Sequence, residues 1–322
     1  MTNFSRKKVL VTGGGGFIGN HLSERLLQLG AEVTIYDCHF PDGIKEDIEI
    51  IHGDIRDYQK IEEAVKGKEI VFHLAGLLGV ENIIDKPVEV LDINLGGTIN
   101  ILKASIKNSV ERFIFSSSSE VYGEPLKLPI SEKDATSPVS TYGVSKLSAE
   151  QYCLAYNQKY DLPVTIIRYF NVYGPRQKEK FVISIFISRI AKNLPPIIYG
   201  NGEQIRSYTN IDDAINGTLL AATSEKGVGE VFNIGNDQPV AIKNLAYYVS
   251  DLFDKQITPE FRYFGNGIRH KEREINKRIP DISKARFMLD FHPKIDFQTG
   301  VKQFIEWYKD FGVNYSNNHT LK

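Results

Sequence analysis

Tyr142 and Lys146 stand four positions apart in Tyr142-Gly143-Val144-Ser145-Lys146, and on a helix both side chains project from one face. An ammonium beside a phenol favours the phenolate, and a cationic ring nearby would add to that. Such a pair can take the proton of a hydroxyl while the carbon beneath it gives up a hydride. The same spacing also occurs in ordinary exposed helices, so the neighbouring residues decide its meaning. In Ser116-Ser117-Ser118-Ser119-Glu120-Val121-Tyr122-Gly123, Ser118 can hydrogen-bond the reacting oxygen and steer its proton toward Tyr142. Taken alone, the stretch is equally a serine-rich turn. Glu120 is either a second acid/base group or a carboxylate that satisfies backbone N–H groups.

A hydride needs an acceptor. Gly13, Gly16 and Gly19 fall at G-x-x-G-x-x-G spacing in Thr12-Gly13-Gly14-Gly15-Gly16-Phe17-Ile18-Gly19. This differs from the G-x-G-x-x-G fingerprint, but the mechanics are shared. The backbone turns sharply, approaches a pyrophosphate and offers it helix N-terminal N–H groups. The run could be a flexible turn were it not set between a strand and a helix. Asp37 ends the second strand, where a carboxylate would accept from ribose hydroxyls and repel a ribose phosphate, which favours NAD over NADP. Read alone it is an acidic turn residue. Asp54 and Ile55 follow the third strand and can contact an adenine. Leu74, Ala75 and Gly76 follow the fourth, where small residues permit close approach. Together these segments argue for NAD.

Short apolar runs at 8–12, 32–36, 48–51, 70–74, 112–116 and 164–168 read as buried strands. Helical patterns lie between them at 17–29, 87–107 and 141–159. The alternation predicts an α/β fold, a Rossmann-type doubly wound parallel sheet covered on both faces. After residue 171 glycine, proline and charge become frequent, which predicts a smaller, irregular C-terminal substrate-binding lobe. Residues 1–171 form the NAD-binding domain in this reading, with a strand near 230–234 returning to its sheet. Residues 172–322 belong mainly to the second lobe, with helices at 243–253 and 300–311 separated by a polar stretch at 264–277.

The 322 residues are 42% hydrophobic and 25% charged, and 39 basic against 40 acidic side chains leave a formal charge of -1. No charge excess points to nucleic acid or a membrane surface. Two cysteines are too few for a disulfide framework and fit a reducing compartment. No apolar stretch reaches the length of a membrane span and no signal-peptide pattern opens the chain. The expectation is a cytoplasmic protein that needs no metal.

These residues resemble the extended short-chain dehydrogenase/reductase family, the NAD-dependent nucleotide-sugar epimerases and dehydratases. The similarity runs from position 9 to about 293, through TGGGGFIG at 12–19, HLAG at 73–76, SSSSEVYG at 116–123, YGVSK at 142–146 and RYFNVYGPR at 168–176. YGNGEQIRSYTNIDDA at 199–214 and PDISKA at 280–285 extend it. The resemblance implies that Ser118, Tyr142 and Lys146 are the catalytic Ser/Thr, Tyr and Lys. It implies NAD contacts for Gly13, Gly16, Phe17, Ile18, Gly19, Asp37, Asp54, Ile55, Leu74, Ala75, Gly76, Asn94 and Tyr169, besides Tyr142 and Lys146. Asn171, Arg206 and an arginine of the 273–278 stretch, Arg273 or Arg278, would hold the nucleotide diphosphate and sugar, together with Ser118. An arginine such as Arg206, in a loop of the second lobe, can pair bidentately with a diphosphate, although by itself it reads as a solvated loop residue. The resemblance also implies a homodimer built on the helices at about 87–107 and 141–159, and a UDP-sugar as substrate.

Family members open by making a 4-keto sugar and divide at the second step. The length and AGL…KP…N pattern of residues 75–98 are similar to sugar 4-epimerases, and that is the reaction expected. Ser119-Glu120 before Val-Tyr-Gly, and Arg278 before Ile-Pro-Asp-Ile, are instead similar to UDP-glucuronate decarboxylases, the alternative. A 4,6-dehydratase is disfavoured because that group usually has adjacent Asp–Glu at 119–120. A non-catalytic NAD-sensing regulator would be expected to lack Tyr142 or Lys146, and both are present.

Overall fold

The computed structural model describes residues 4–263 and 275–312. The first half alternates as its apolar runs require. In order come β1 (Lys8–Thr12), α1 (Phe17–Gln28), β2 (Glu32–Asp37), β3 (Glu49–His52), α2 (Tyr58–Val65) and β4 (Ile70–His73). Then follow α3 (Val80–Asp85), α4 (Pro87–Leu91), α5 (Gly97–Lys107), β5 (Arg112–Ser118), α6 (Thr141–Tyr160) and β6 (Val164–Tyr169). Beyond these lie β7 (Val172–Tyr173), α7 (Val182–Ala191), β8 (Ile197–Tyr199), β9 (Ile205–Ser207), β10 (Thr209–Asn210), α8 (Ile211–Thr223) and β11 (Val231–Ile234). The chain continues with β12 (Pro239–Ala241), α9 (Ile242–Leu252), β13 (Glu260–Arg262), β14 (Lys277–Arg278), α10 (Ser283–Leu289) and α11 (Phe297–Trp307).

Seven parallel strands form the main sheet in the order β11-β6-β5-β4-β1-β2-β3. Strand order reverses between β1 and β4, and ligands of such sheets lie in the crevice above that point. Alternation along each strand splits the core in two. Val9 and Val11 face a cluster with α1, α8 and α10, whereas Leu10 faces one with α2, α5 and α6. Each fully buried Val, Ile, Leu or Phe contributes about 1.5–3 kcal/mol, so the sheet is a rigid base for its C-terminal rim.

Two features depart from the sequence reading. The helix expected over 87–107 is interrupted by a π turn, Asp92–Gly96, between α4 and α5. There Asn94 is turned inward and is only 2% exposed. In addition, α8 lies beyond residue 171 but packs on the main sheet, with Ile211, Ala214, Ile215 and Leu219 in the same cluster as Val9. A parallel return from β6 to β11 needs a crossover helix, and α8 supplies it. A third apolar cluster joins α7, α9 and α11 in the remaining lobe. Arg176 ties that lobe to α1 by a fork onto Glu24, at 2.9 and 2.8 Å. Among the described residues no helix is long and apolar enough to cross a membrane.

Candidate active site

The glycine loop sits at the β1–β4 crevice. Gly13 has φ +74°, and a Cβ on it would lie 2.5 Å from the Ala75 amide nitrogen. A Cβ on Gly19 would lie 2.1 Å from the Gly13 carbonyl oxygen. The loop, the start of α1 and the strand after β4 are therefore packed backbone to backbone. The α1 N-cap, Gly16, offers no side chain to the first N–H groups of the helix, so they are left for an anion. Asp37 overlooks this loop. Its Oδ2 accepts from Gly15 N–H at 3.0 Å, and its Oδ1 from Cys38 and His39 N–H at 2.7 and 3.1 Å. A narrow glycine cradle, open helix N–H groups and a carboxylate at the rim fit a dinucleotide whose ribose carries no phosphate.

A hydrogen-bond chain braces the floor. Ala75 N–H donates to Thr12 Oγ1 at 3.5 Å, and Thr12 Oγ1 meets His73 Nδ1 at 2.8 Å. His73 Nε2 meets Thr98 Oγ1 at 2.9 Å, and that hydroxyl donates to the Asn94 carbonyl at 2.5 Å. Because Thr98 donates onward, His73 Nε2 carries the proton and Nδ1 accepts from Thr12. Burial, then the Lys146 charge, hold the imidazole well below its usual range, so it stays neutral and can serve both partners. Asn94 clamps Leu77, accepting from its N–H at 2.7 Å and donating to its carbonyl at 3.0 Å, and donates to Ser145 Oγ at 3.0 Å. The sequence reading placed Asn94 by resemblance but missed Thr12, Thr98 and Ser145, since nothing in a sequence shows a π turn.

The other end of the cleft is built on β5 and α6. Ser140 caps α6 by accepting from Gly143 N–H at 3.0 Å, which places Tyr142 in the first turn and Lys146 in the next. Lys146, 4% exposed, donates to the Ser116 carbonyl at 2.8 Å. Its Nζ lies 5.9 Å from the centroid of the Tyr142 ring. Burial lowers the ammonium to about 8, against opposing pulls from Cys153 and Glu150. The Ser118 hydroxyl meets the Tyr142 phenol and accepts from Glu120 N–H at 3.2 Å. The phenol does not behave as the sequence reading expected. Burial, then the Glu120 charge, push it above its usual range, with Ser118 opposing. Tyr142 is thus a neutral phenol in this state.

Glu120 is the centre of a polar group that spacing alone could not assemble. Its Oε1 accepts from Arg278 Nη1 at 3.0 Å and its Oε2 from Ser140 Oγ at 3.1 Å. Burial would raise this carboxyl, but Arg278 and Ser140, with the Arg206 charge, hold it below the ordinary 4.5. Arg206 lies on β9 rather than in a loop. It is the in-register partner of Arg278 on β14, so both side chains leave one face of that small sheet. Arg206 itself donates to the Ile205 and Asn276 carbonyls. Arg278 is 7% exposed, and its Nε has no hydrogen-bond partner among the described residues. The Asn171 side chain donates to the Ser207 carbonyl at 2.9 Å.

The remaining expectations scatter around the crevice. Phe17 and Ile18 are partly buried against the first core cluster. Ile55 is 6% exposed and packs under α5. The Asp54 carboxylate is forked by its neighbour Arg56. The Tyr169 hydroxyl meets Thr218 Oγ1 at 2.6 Å, facing α8. Leu74 and Gly76 line the strand end. A Cβ on Gly76 would meet Asn94 Oδ1 at 3.0 Å and Lys146 Nζ at 3.5 Å. Arg273 lies outside the described residues.

Comparison with known proteins agrees with this geometry. The family model for the NAD dependent epimerase/dehydratase family matches residues 9–235. The chain is 37% identical over 320 residues to the UDP-N-acetyl-alpha-D-glucosaminuronate decarboxylase of Bacillus cytotoxicus, covering 95% of this chain and 98% of that one. It is 38% identical over 314 residues to a putative UDP-glucose 4-epimerase of Methanocaldococcus jannaschii, covering 94% and 98%. The UDP-glucuronic acid 4-epimerase of Bacillus cereus, solved with UDP-glucuronic acid and NAD, superposes with a TM-score of 0.86 at 30% identity, covering 94% and 99%. The chain belongs to the NAD-dependent epimerase/dehydratase family, as an enzyme whose cofactor is NAD.

Proposed function

We propose that this enzyme is a UDP-uronate decarboxylase, which removes the C5 carboxylate of a UDP-linked hexuronic acid after transient oxidation at C4. The observation that carries this reading is the Glu120–Arg278 pair beside Ser118 and Tyr142. NAD, when bound, supplies a reversible hydride acceptor at C4. With the nicotinamide charge and the Lys146 ammonium beside it, Tyr142 would lose its proton to solvent and stand as the phenolate, which takes the C4 hydroxyl proton and becomes the phenol while Ser118 orients that oxygen. The product is a β-keto acid. Its C5–carboxylate bond breaks to release carbon dioxide, and the electron pair moves onto the C4 oxygen as an enolate. C5 then takes a proton, the C4 ketone is reduced, and Tyr142 returns its proton to the hydroxyl.

A 4-epimerase, the reaction expected from sequence, has no step at C5. Glu120, held ionised by Arg278, can orient a water to deliver the C5 proton. The Nε donor of Arg278, without a partner among the described residues, suits an anionic substituent on the sugar. Gly13, Gly16 and Gly19 with Asp37 would hold the dinucleotide, while Asn171 and Arg206 would meet the nucleotide diphosphate. In this reading residues 1–171 serve NAD and residues 172–322 mainly the UDP-sugar. The 4-epimerase reading keeps support from the Methanocaldococcus jannaschii relative. Incubation with UDP-glucuronate and UDP-N-acetylglucosaminuronate separates the two. Decarboxylation gives a product lighter by one carbon dioxide, whereas clean conversion to the 4-epimer overturns it.

Val88 on α4 and Val144 and Tyr152 on α6 are exposed apolar side chains, which supports a homodimer through these helices. Light scattering at micromolar concentration tests it, and a monomer mass rejects it. Cys38 and Cys153 are free, which supports placing the enzyme in the cytoplasm.

A further inference from the structure

One turn beyond Lys146, α6 carries a third inward residue. Glu150 is 1% exposed and accepts from Arg168 Nε at 2.9 Å, from Arg168 Nη2 at 2.6 Å and from the Ser117 hydroxyl. Three consecutive serines of β5 therefore hold three residues of α6 at successive turns. The Ser118 hydroxyl meets Tyr142, the Ser116 carbonyl takes Lys146, and the Ser117 hydroxyl takes Glu150. Arg168 is 5% exposed, and its guanidinium lies 4.7 Å from the Tyr122 ring centroid. The Tyr122 hydroxyl donates to Asn233 Oδ1 at 2.7 Å. Asn233 Nδ2 in turn donates to the Ile130 carbonyl at 2.9 Å and the Asp281 carbonyl at 3.2 Å, just past Arg278. Polar and ring contacts thus run from α6 to Asp281, three residues past Arg278.

Buried ion pairs are costly to desolvate, and a well-packed apolar replacement is often as stable. Stability alone is a weak reason for this one. We infer that Glu150, fixed by Arg168 and Ser117, is a positioning residue for the redox step, keeping the Lys146 ammonium charged and aimed beneath Tyr142. The inference rests on the proposed roles of Tyr142 and Lys146. Among the described residues, the groups that face Lys146 are Tyr142, Glu150 and Cys153 from α6, and the Ser116 carbonyl and Phe115 ring from β5. Asn94 and Gly76 approach from the π turn and the end of β4, and neutral His73 stands behind them. Glu150 is the carboxylate in that set, and its charge raises Lys146 against the effect of burial.

The test reads the Lys146 charge directly. In protein carrying carbon-13 at lysine Cε, the Lys146 resonance is assigned from Lys146→Arg and titrated with and without NAD. The wild type should titrate near 8, and Glu150→Gln should move that midpoint down by about one pH unit. The double variant Glu150→Gln/Arg168→Met, which leaves no unpaired charge, should show a smaller shift in the same direction with NAD still bound. The alkaline limb of turnover should move with the resonance. An unmoved midpoint and limb in the double variant would reduce Glu150 to a packing role. If the limb persists in Lys146→Arg, Lys146 is not its source, and the parent assignment falls together with this one.

Discussion

The Lys146 ammonium donates to the Ser116 carbonyl at 2.8 Å, which commits one of its three donors to β5 and fixes where its charge sits. Burial lowers that charge to about 8 from the usual 10.5. Between these values the unfolded chain binds more protons than the folded one, so this residue makes stability rise with pH. Lys146→Met has no such group. Its stability advantage over wild type should be largest below pH 8 and shrink toward pH 10.5, as measured by denaturant unfolding. An advantage constant across that window would contradict the buried-ammonium account.

Tyr142→Phe removes the phenol that meets Ser118 and leaves the helix intact. Turnover should fall about 100- to 10,000-fold, with NAD content and melting temperature close to wild type. Near-normal turnover would take the proton-transfer role away from Tyr142.

Asp37 accepts from Gly15, Cys38 and His39 N–H groups at the rim of the cradle. Asp37→Ala should weaken NAD by about 1.5–3 kcal/mol, roughly ten- to hundredfold, and should weaken NADP far less. Calorimetric titration of both dinucleotides reads this. Equal losses would place the carboxylate in loop structure alone.

Glu120 is held below its ordinary 4.5 by Arg278 and Ser140, overcoming the opposing effect of burial. A carboxyl depressed in the folded state stabilises above its unfolded value, and the contribution is lost as pH falls through the folded one. The stability gap between wild type and Glu120→Gln should therefore close on acidification below that range. In turnover, Glu120→Gln should slow formation of the final reduced sugar by about 100-fold or more, while oxidation at C4 and one release of carbon dioxide per site should survive, seen as accumulated NADH absorbance. Loss of both steps together would indicate that Glu120 only supports the site.

Much of this arrangement was legible in the residues. Runs such as 8–12 and 164–168 are apolar on both faces, and only a covered parallel sheet uses such strands. The glycine spacing at 13, 16 and 19 and the Tyr142–Lys146 step are local signals. Glu120–Arg278 was not legible, because its partners are 158 positions apart and meet only after β14 docks on β9. The phenol was misjudged because sequence shows the neighbouring ammonium but neither the burial of the ring nor the nearby Glu120. Crossover α8 escaped notice because its apolar residues follow a glycine- and charge-rich stretch that reads as a separate lobe.

The π turn at Asp92–Gly96 bears on how this gene can vary in length. A π turn holds one residue more than an α turn, so deletion of any one of those five residues would let the helix close into a regular coil. Each residue in an α-helix spans about 100° of rotation. A deletion in the regular turns would swing everything ahead of it by that angle, but here the bulge absorbs the loss, and the exposed Val88 and buried Val90 keep their places. Asn94 would lose its hold on Leu77 at the same stroke. A single-codon loss here should therefore leave the helix packed while disabling the Asn94 clamp, whereas the same loss in the regular turns should misplace the whole face.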